Sequence, residues 1–163
     1  MTGAERREFV RTHRTAVFGY NRGGAGPSMS IVYYVMDGHD LLVSTMAARG
    51  KAKAVARDPH VSLCVLNEQW PPVYLLVQGT ARIETDFERT VDLLMQVSSL
   101  MAGTPMPESA RPPLAQMGRA ENRISLRVTP VSTFESPPRH VYKADDVKSL
   151  THGLGTTLPW NAD

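Results

Sequence analysis

The 163-residue sequence holds a single cysteine, Cys64, so no disulfide can form within the chain and a reducing compartment is the natural setting. It also lacks any run approaching the roughly 20 apolar residues that a membrane-spanning helix needs. The opening MTGAERREFVRTHRT is charged and has no long apolar stretch, which argues against a secretory signal; the expectation is a cytoplasmic protein. Neither sign of charge dominates, with 18 Lys and Arg against 16 Asp and Glu. A nucleic-acid-binding domain of this size is ordinarily more basic, and any charged partner must be met by a local patch. His13, His39, His60, His140 and His152 show no metal-ligand spacing, and with one cysteine no metal site is expected. Cys64 sits mid-strand between apolar neighbours and reads as a buried structural thiol. The serines lack a G-x-S-x-G elbow. The glycines of NRGGAG (21–26) lead through Pro27 into a strand. A phosphate-binding glycine loop must open a helix instead, so these glycines serve a turn.

What is present is an ordinary globular composition, 42% hydrophobic and 21% charged, enough for one domain around one core. Thr2 to Glu5 has capping-box spacing before a short opening helix. Strands are expected at 15–20, 28–36, 40–45, 60–67, 73–85 and 123–134, where apolar residues alternate. In the 73–85 strand, Gly79 and Ala81 fall on the inner face, which points to tight curvature or close approach. A second capping box, Thr85 to Glu88, opens a helix over 87–102 that stops at Gly103. Residues 103–118 contain four prolines and read as an ordered loop or lid. The strands are joined mainly by hairpins, with helices inserted after the third and fifth. That pattern predicts a mainly β fold, a six-stranded and mostly antiparallel barrel, rather than a Rossmann sheet.

The segment TMAARGKAKAVARDP (45–59) concentrates charge of one sign. Arg49, Lys51, Lys53 and Arg57 precede its first acid, Asp58. A strand ending in Ser44 and Thr45, then a turn and a helix start, brings together hydroxyls, free amides and cations, the groups that bind an anion. A solvated basic face on an Ala-rich helix gives the same spacing, and spacing alone does not choose between them. Met95 and Met101 follow the 87–102 stripe and read as core filling. Trp70, before Pro71 and Pro72, either stacks on a planar ligand or caps the barrel end.

LLVSTMAARGKAKAVARDPHVSLCV resembles the strand–helix–strand signature of the pyridoxamine-phosphate-oxidase-like flavin and deazaflavin split barrels. The similarity runs over about residues 10–135, through the 28–36 strand, VQGTARIET and RISLRVTP. The resemblance implies a split β-barrel homodimer with two cofactor sites at the interface. Matched position by position, Thr45, Arg49 and Lys51 correspond to phosphate-binding positions and Met29, Ser30 and Ile31 to the strand beside the tricyclic ring. Ser44 is a looser match. Lys53 and Arg57 are added from charge and helical spacing. The Arg- and Trp-rich substrate motif of the oxidases that make pyridoxal phosphate is absent, which argues against vitamin B6 oxidation. Arg49-Gly50-Lys51 is more similar to the short actinobacterial members that use coenzyme F420, an 8-hydroxy-5-deazaflavin with a phosphodiester and an acidic tail.

The resulting expectation is an F420-dependent oxidoreductase passing a hydride between the reduced coenzyme and a small organic substrate. The alternatives are an FMN-dependent enzyme of the same fold and a non-catalytic flavin-, deazaflavin- or tetrapyrrole-binding protein. No catalytic acid or base is assigned, because the cofactor carries the chemistry. The expected cofactor-binding set is Met29, Ser30, Ile31, Ser44, Thr45, Arg49, Lys51, Lys53 and Arg57, with Trp70 in the substrate pocket. Residues 1–135 form the expected cofactor-binding domain. Residues 136–163 are expected as a tail on the barrel or on the dimer partner. No nucleic acid and no membrane span enter this reading.

Overall fold

The computed structural model of the protein describes residues 1–67, 69, 72–137, 140–150 and 153–163. Helix α1 (Gly3–Thr12) leads into strands β1 (Thr15–Tyr20), β2 (Ser28–Tyr33), β3 (Val35–Asp37) and β4 (Asp40–Met46). Helix α2 (Gly50–Arg57) precedes β5 (His60–Leu66) and β6 (Tyr74–Glu84). Helices α3 (Phe87–Ala102) and α4 (Arg111–Ala120) then precede β7 (Arg123–Glu135) and a short β8 (Thr156–Pro159). The strands form one antiparallel sheet in the order β2-β1-β5-β6-β7-β4-β3, with β8 added to β7.

Alternation along the strands builds the core. Phe18, Leu41, Val43, Leu63, Val65, Leu75, Val77, Leu126 and Val128 are fully shielded on one face of the sheet, each contributing roughly 1.5–3 kcal/mol of apolar burial. The sheet curls around this core. β2 and β4 stand far apart in strand order, yet Ser30, Ile31 and Val32 line the same cavity as Ser44, Thr45 and Met46. The curl has a local cause at β6 and β7. The register jumps from Gln78–Ser132 to Gly79–Pro130, a bulge. A Cβ on Gly79 would stand 2.5 Å from the Thr129 carbonyl oxygen, so only glycine admits this approach.

Three expectations are corrected. The chain is mixed α and β, with eight strands among the described residues rather than six. The 28–36 run divides at Tyr34, whose hydroxyl donates to the Val10 carbonyl at 2.6 Å and ties the sheet to α1. The 103–118 segment is largely α4, because Pro112 and Pro113 occupy its first turn, where proline sacrifices no hydrogen bond. The tail contributes β8 and the buried Trp160. Arg6, 1% exposed, secures it by donating to the Thr133 and Thr156 carbonyls at 3.0 Å each and to the Thr156 hydroxyl at 2.6 Å. Cys64 is half-buried on the face opposite Leu63 and Val65, and burial pushes its thiol up from its ordinary value. No helix among the described residues is long and apolar enough to cross a membrane.

Candidate functional site

A cavity of about 780 Å³ opens where the curled sheet meets three helices. β2 supplies Ser30, Ile31 and Tyr33, the end of β4 supplies Ser44, Thr45 and Met46, and the start of α2 supplies Arg49, Gly50 and Lys51. The helices add a mostly apolar wall, Leu94, Val97, Ser98 and Met101 of α3 and Met117 of α4. α3 can present this wall because Asp86 caps it by accepting from the Arg89 amide and Gly103 ends it in the left-handed region (φ 71°). The N-cap is therefore Asp86, one residue later than the Thr85 box predicts.

The cationic end of the cavity follows from how α2 begins. Arg49 is its N-cap with extended backbone, its side chain makes no cap hydrogen bond, and the first turn contains no acid. The helix dipole and first-turn amides are thus left to an outside anion. The Tyr20 hydroxyl lies against this start, 3.2 Å from where a Cβ on Gly50 would stand. Lys51 is half-buried, its ammonium 5.6 Å from the centre of the Phe18 ring. Burial, and then the charges of Arg49 and Arg123, hold its pKa below the usual lysine range. Arg123, at the start of β7, also lines the cavity and is ion-paired with Glu121 at 2.6 Å.

Two hydroxyls in the cavity wall carry a second signal. The Oγ atoms of Ser30 and Ser44 are shielded from solvent and have no hydrogen-bond partner. An unsatisfied buried polar group is unfavourable by about 1–3 kcal/mol, so a polar ligand in this cavity would relieve both. The donor set fits a phosphate-bearing cofactor: helix amides, a guanidinium and an ammonium at one end, hydroxyls beside them, and an apolar wall for a ring.

Of the residues expected at the site, the structure brings together Ser30, Ile31, Ser44, Thr45, Arg49 and Lys51. Met29 lies apart, 69% exposed, in a second groove of about 560 Å³ with Gly19, His60 and Val131. Lys53 is exposed outside the cavity; Arg57 donates to the Asn21 carbonyl at 3.3 Å. Trp70 lies outside the described residues. No group of side chains suited to a metal ion occurs among the described residues. Sequence reasoning missed Tyr20, Glu121, Arg123 and the α3–α4 wall. Met101, expected as core filling, is instead 62% exposed and lines the cavity, and a Glu and an Arg two residues apart carry no distinguishing pattern.

The family model described as pyridoxamine 5'-phosphate oxidase matches residues 2–135. No curated protein matches the chain in sequence. Among solved structures, a conserved hypothetical protein of Mycobacterium tuberculosis is similar with a TM-score of 0.72 at 21% identity, over 89% of this chain and 94% of that one. A protein described as an F420 reductase is similar with a TM-score of 0.61 at 19% identity, over 78% and 94%. The haem storage protein HutZ of Vibrio cholerae is similar with a TM-score of 0.57 at 17% identity, over 78% and 88%. At these identities the structural likeness concerns the fold, an antiparallel half-barrel of the split-barrel type.

Proposed function

The chain belongs to the pyridoxamine 5'-phosphate oxidase family, and from that premise we propose that it is an F420-dependent oxidoreductase acting on a small organic substrate. The observation that carries the reading is the uncapped start of α2, with Arg49 and Lys51, opening onto the cavity that holds the unpartnered hydroxyls of Ser30 and Ser44. Arg49, Lys51 and the first amides of α2 hold the phosphate group. Ser30, Ser44 and the backbone beside Ile31 meet the polar edge of the ring, and Thr45 shapes the junction between them. Leu94, Val97, Met101 and Met117 exclude water and bound the space left for substrate. The coenzyme, when bound, supplies the hydride chemistry. The protein contributes binding and orientation, and no side chain is assigned as acid or base.

The exposed Lys53 extends the cationic surface of α2 beyond the cavity, which favours a ligand with an acidic tail over FMN. A homodimer belongs to the same reading. Ile31 is 76% exposed at the cavity edge, and Met29 and Val131 are exposed along the neighbouring groove, a surface suited to a second copy that completes each site. Residues 1–135 carry the cofactor machinery, and 136–163 attach to it through β8.

The test is a fluorescence titration of the purified protein with F420 and, separately, FMN, followed by turnover assays with a panel of unsaturated acceptors. Micromolar affinity for F420 with acceptor-dependent oxidation of the reduced coenzyme is the expected result. Preference for FMN would move the protein to the flavin enzymes of this fold. Binding without turnover would make it a carrier, and affinity for neither would end the oxidoreductase reading.

A further inference from the structure

Glu121 is out of place in a cavity built for an anion. It follows the last residue of α4, where the helix dipole disfavours a carboxylate, and it lines the same space as Arg49 and Lys51. Its partner is Arg123, which donates through Nε at 2.6 Å. Both side chains are sheltered, Arg123 at 26% and Glu121 at 36% exposure, so solvent screens their charges only in part.

The backbone between them is held in an unusual state. Asn122 has φ 49°, the single positive value for a non-glycine among the described residues, and asparagine is one of the few side chains that accept it. The Asn122 carbonyl accepts from the Ala47 amide at 3.0 Å, which ties this turn to the connection between β4 and α2. Arg123 then pairs with Met46 across β7 and β4. The turn therefore places Glu121 and Arg123 beside the loop that carries Arg49.

We propose that Arg123 is a third anion-binding group of the cavity and that Glu121 is the counter-ion that tunes its selectivity, shifting the balance toward a singly charged phosphodiester by narrowing the advantage that the cations give a doubly charged phosphomonoester. The inference rests on the reading of this cavity as the seat of a phosphate-bearing cofactor. Three cations, Arg49, Lys51 and Arg123, are opposed by one carboxylate. A phosphomonoester carries a charge of about −1.5 to −2 at pH 7, whereas a diester carries one. The repulsion from Glu121 is proportional to the ligand's charge, so the carboxylate penalises the monoester about twice as strongly in free energy. It also neutralises Arg123 until an anion arrives to share it.

Phenyl phosphate and methyl phenyl phosphate, a monoester and a diester of similar shape, test this when titrated by calorimetry at pH 7.5 into the wild type, Glu121→Gln and Arg123→Gln. Glutamine keeps the size of Glu121 and its hydrogen bond to Arg123, so a purely structural role would leave both affinities unchanged. Glu121→Gln is expected to tighten the diester about threefold and the monoester about tenfold, the square of the first factor, because the energy scales with charge. Arg123→Gln is expected to weaken both, the monoester more. Equal shifts, no shift, or no binding of either ester would overturn the proposal. Parallel titrations with F420 and FMN separate it from the functional reading. If the esters behave as expected while neither cofactor binds, the cofactor assignment fails and the charge selectivity stands. If a cofactor binds and Glu121→Gln leaves the two ester affinities in their original ratio, the selectivity fails alone.

Discussion

Lys51 is where burial and neighbouring charge act together on one group of the site. Its ammonium is half-buried over Phe18 and repelled by Arg49 and Arg123, so it is stabilised by an incoming anion more than by anything in the free protein. Lys51→Ala should weaken an anionic cofactor by about 10- to 100-fold, the range for a lost charge-assisted hydrogen bond, while thermal unfolding shifts by only a few degrees. A melt that collapses with unchanged affinity would reverse the assignment. A bound anion raises the lysine's pKa above its depressed value in the free protein, so binding takes up a proton between the two values. Affinity should therefore fall as pH rises through the depressed value, and Lys51→Arg should abolish that slope because guanidinium does not titrate there. At this scale the sequence was readable where groups cluster locally. Thr45, Arg49 and Lys51 sit within seven residues, in a strand–turn–helix context whose chemistry is explicit. Arg123 joins them only through the β4–β7 pairing, and Tyr34 interrupts its strand because its hydroxyl finds Val10 across the fold.

Two glycines separate backbone conformation from space at the level of elements. Gly103 ends α3 with φ 71° and has nothing within 4 Å of where a Cβ would stand, so Gly103→Ala should lower stability by about 1 kcal/mol through the left-handed conformation alone. Gly79 has ordinary backbone but faces Thr129 at 2.5 Å. Gly79→Ala should be the more damaging, by about 2–3 kcal/mol or more, since β6 must move off β7. Urea denaturation of the two variants checks the order, and an equal effect would remove the bulge from its role in the curl. The close approach at Gly79 was legible because a small residue stood on an apolar face. α3 was legible from its stripe and its C-terminal glycine. α4 was not, because prolines read as breakers unless their place in the first turn is known. β8 was not, because four residues carry too little alternation and their support, Arg6, lies at the other end of the chain.

Across the whole molecule, Arg127 is the charge that joins separate parts of the sheet. Its guanidinium donates to Glu84 of β6 at 2.6 Å, to Asp37 at 2.7 Å and to Asp40 at 3.1 Å, the latter two flanking the β3–β4 turn. The hydrogen bond and charge of Arg127 hold Asp37 below the usual carboxylate range. At Glu84 burial pushes upward, and the bonds from Arg127 and Arg82 outweigh it. Asp58, bonded by Asn21 and His60, is lowered to about 2. Depressed carboxylate values stabilise the fold above the unfolded-state range and lose that contribution as pH falls, so stability should decline from about pH 4.5 toward about pH 2. Arg127→Met should lower stability at pH 7 by about 3 kcal/mol, because it strands sheltered carboxylates, and should flatten the upper part of the acid decline. Unfolding curves at pH 7, 4 and 3 read both effects; an unchanged acid slope would detach Arg127 from it. The strand that carries Arg127 has a further consequence, in time rather than in space. β7 is the only described link between β4 and β6, and it is made about 40 residues after β6 and about 80 after β4. While the chain grows from the ribosome, β4 and β6 both present bare strand edges, the surfaces most open to wrong pairing. The sheet cannot close until residues 123–135 have emerged, so folding is a late event governed by non-local contacts, and chains cut short before that point keep two unpaired edges.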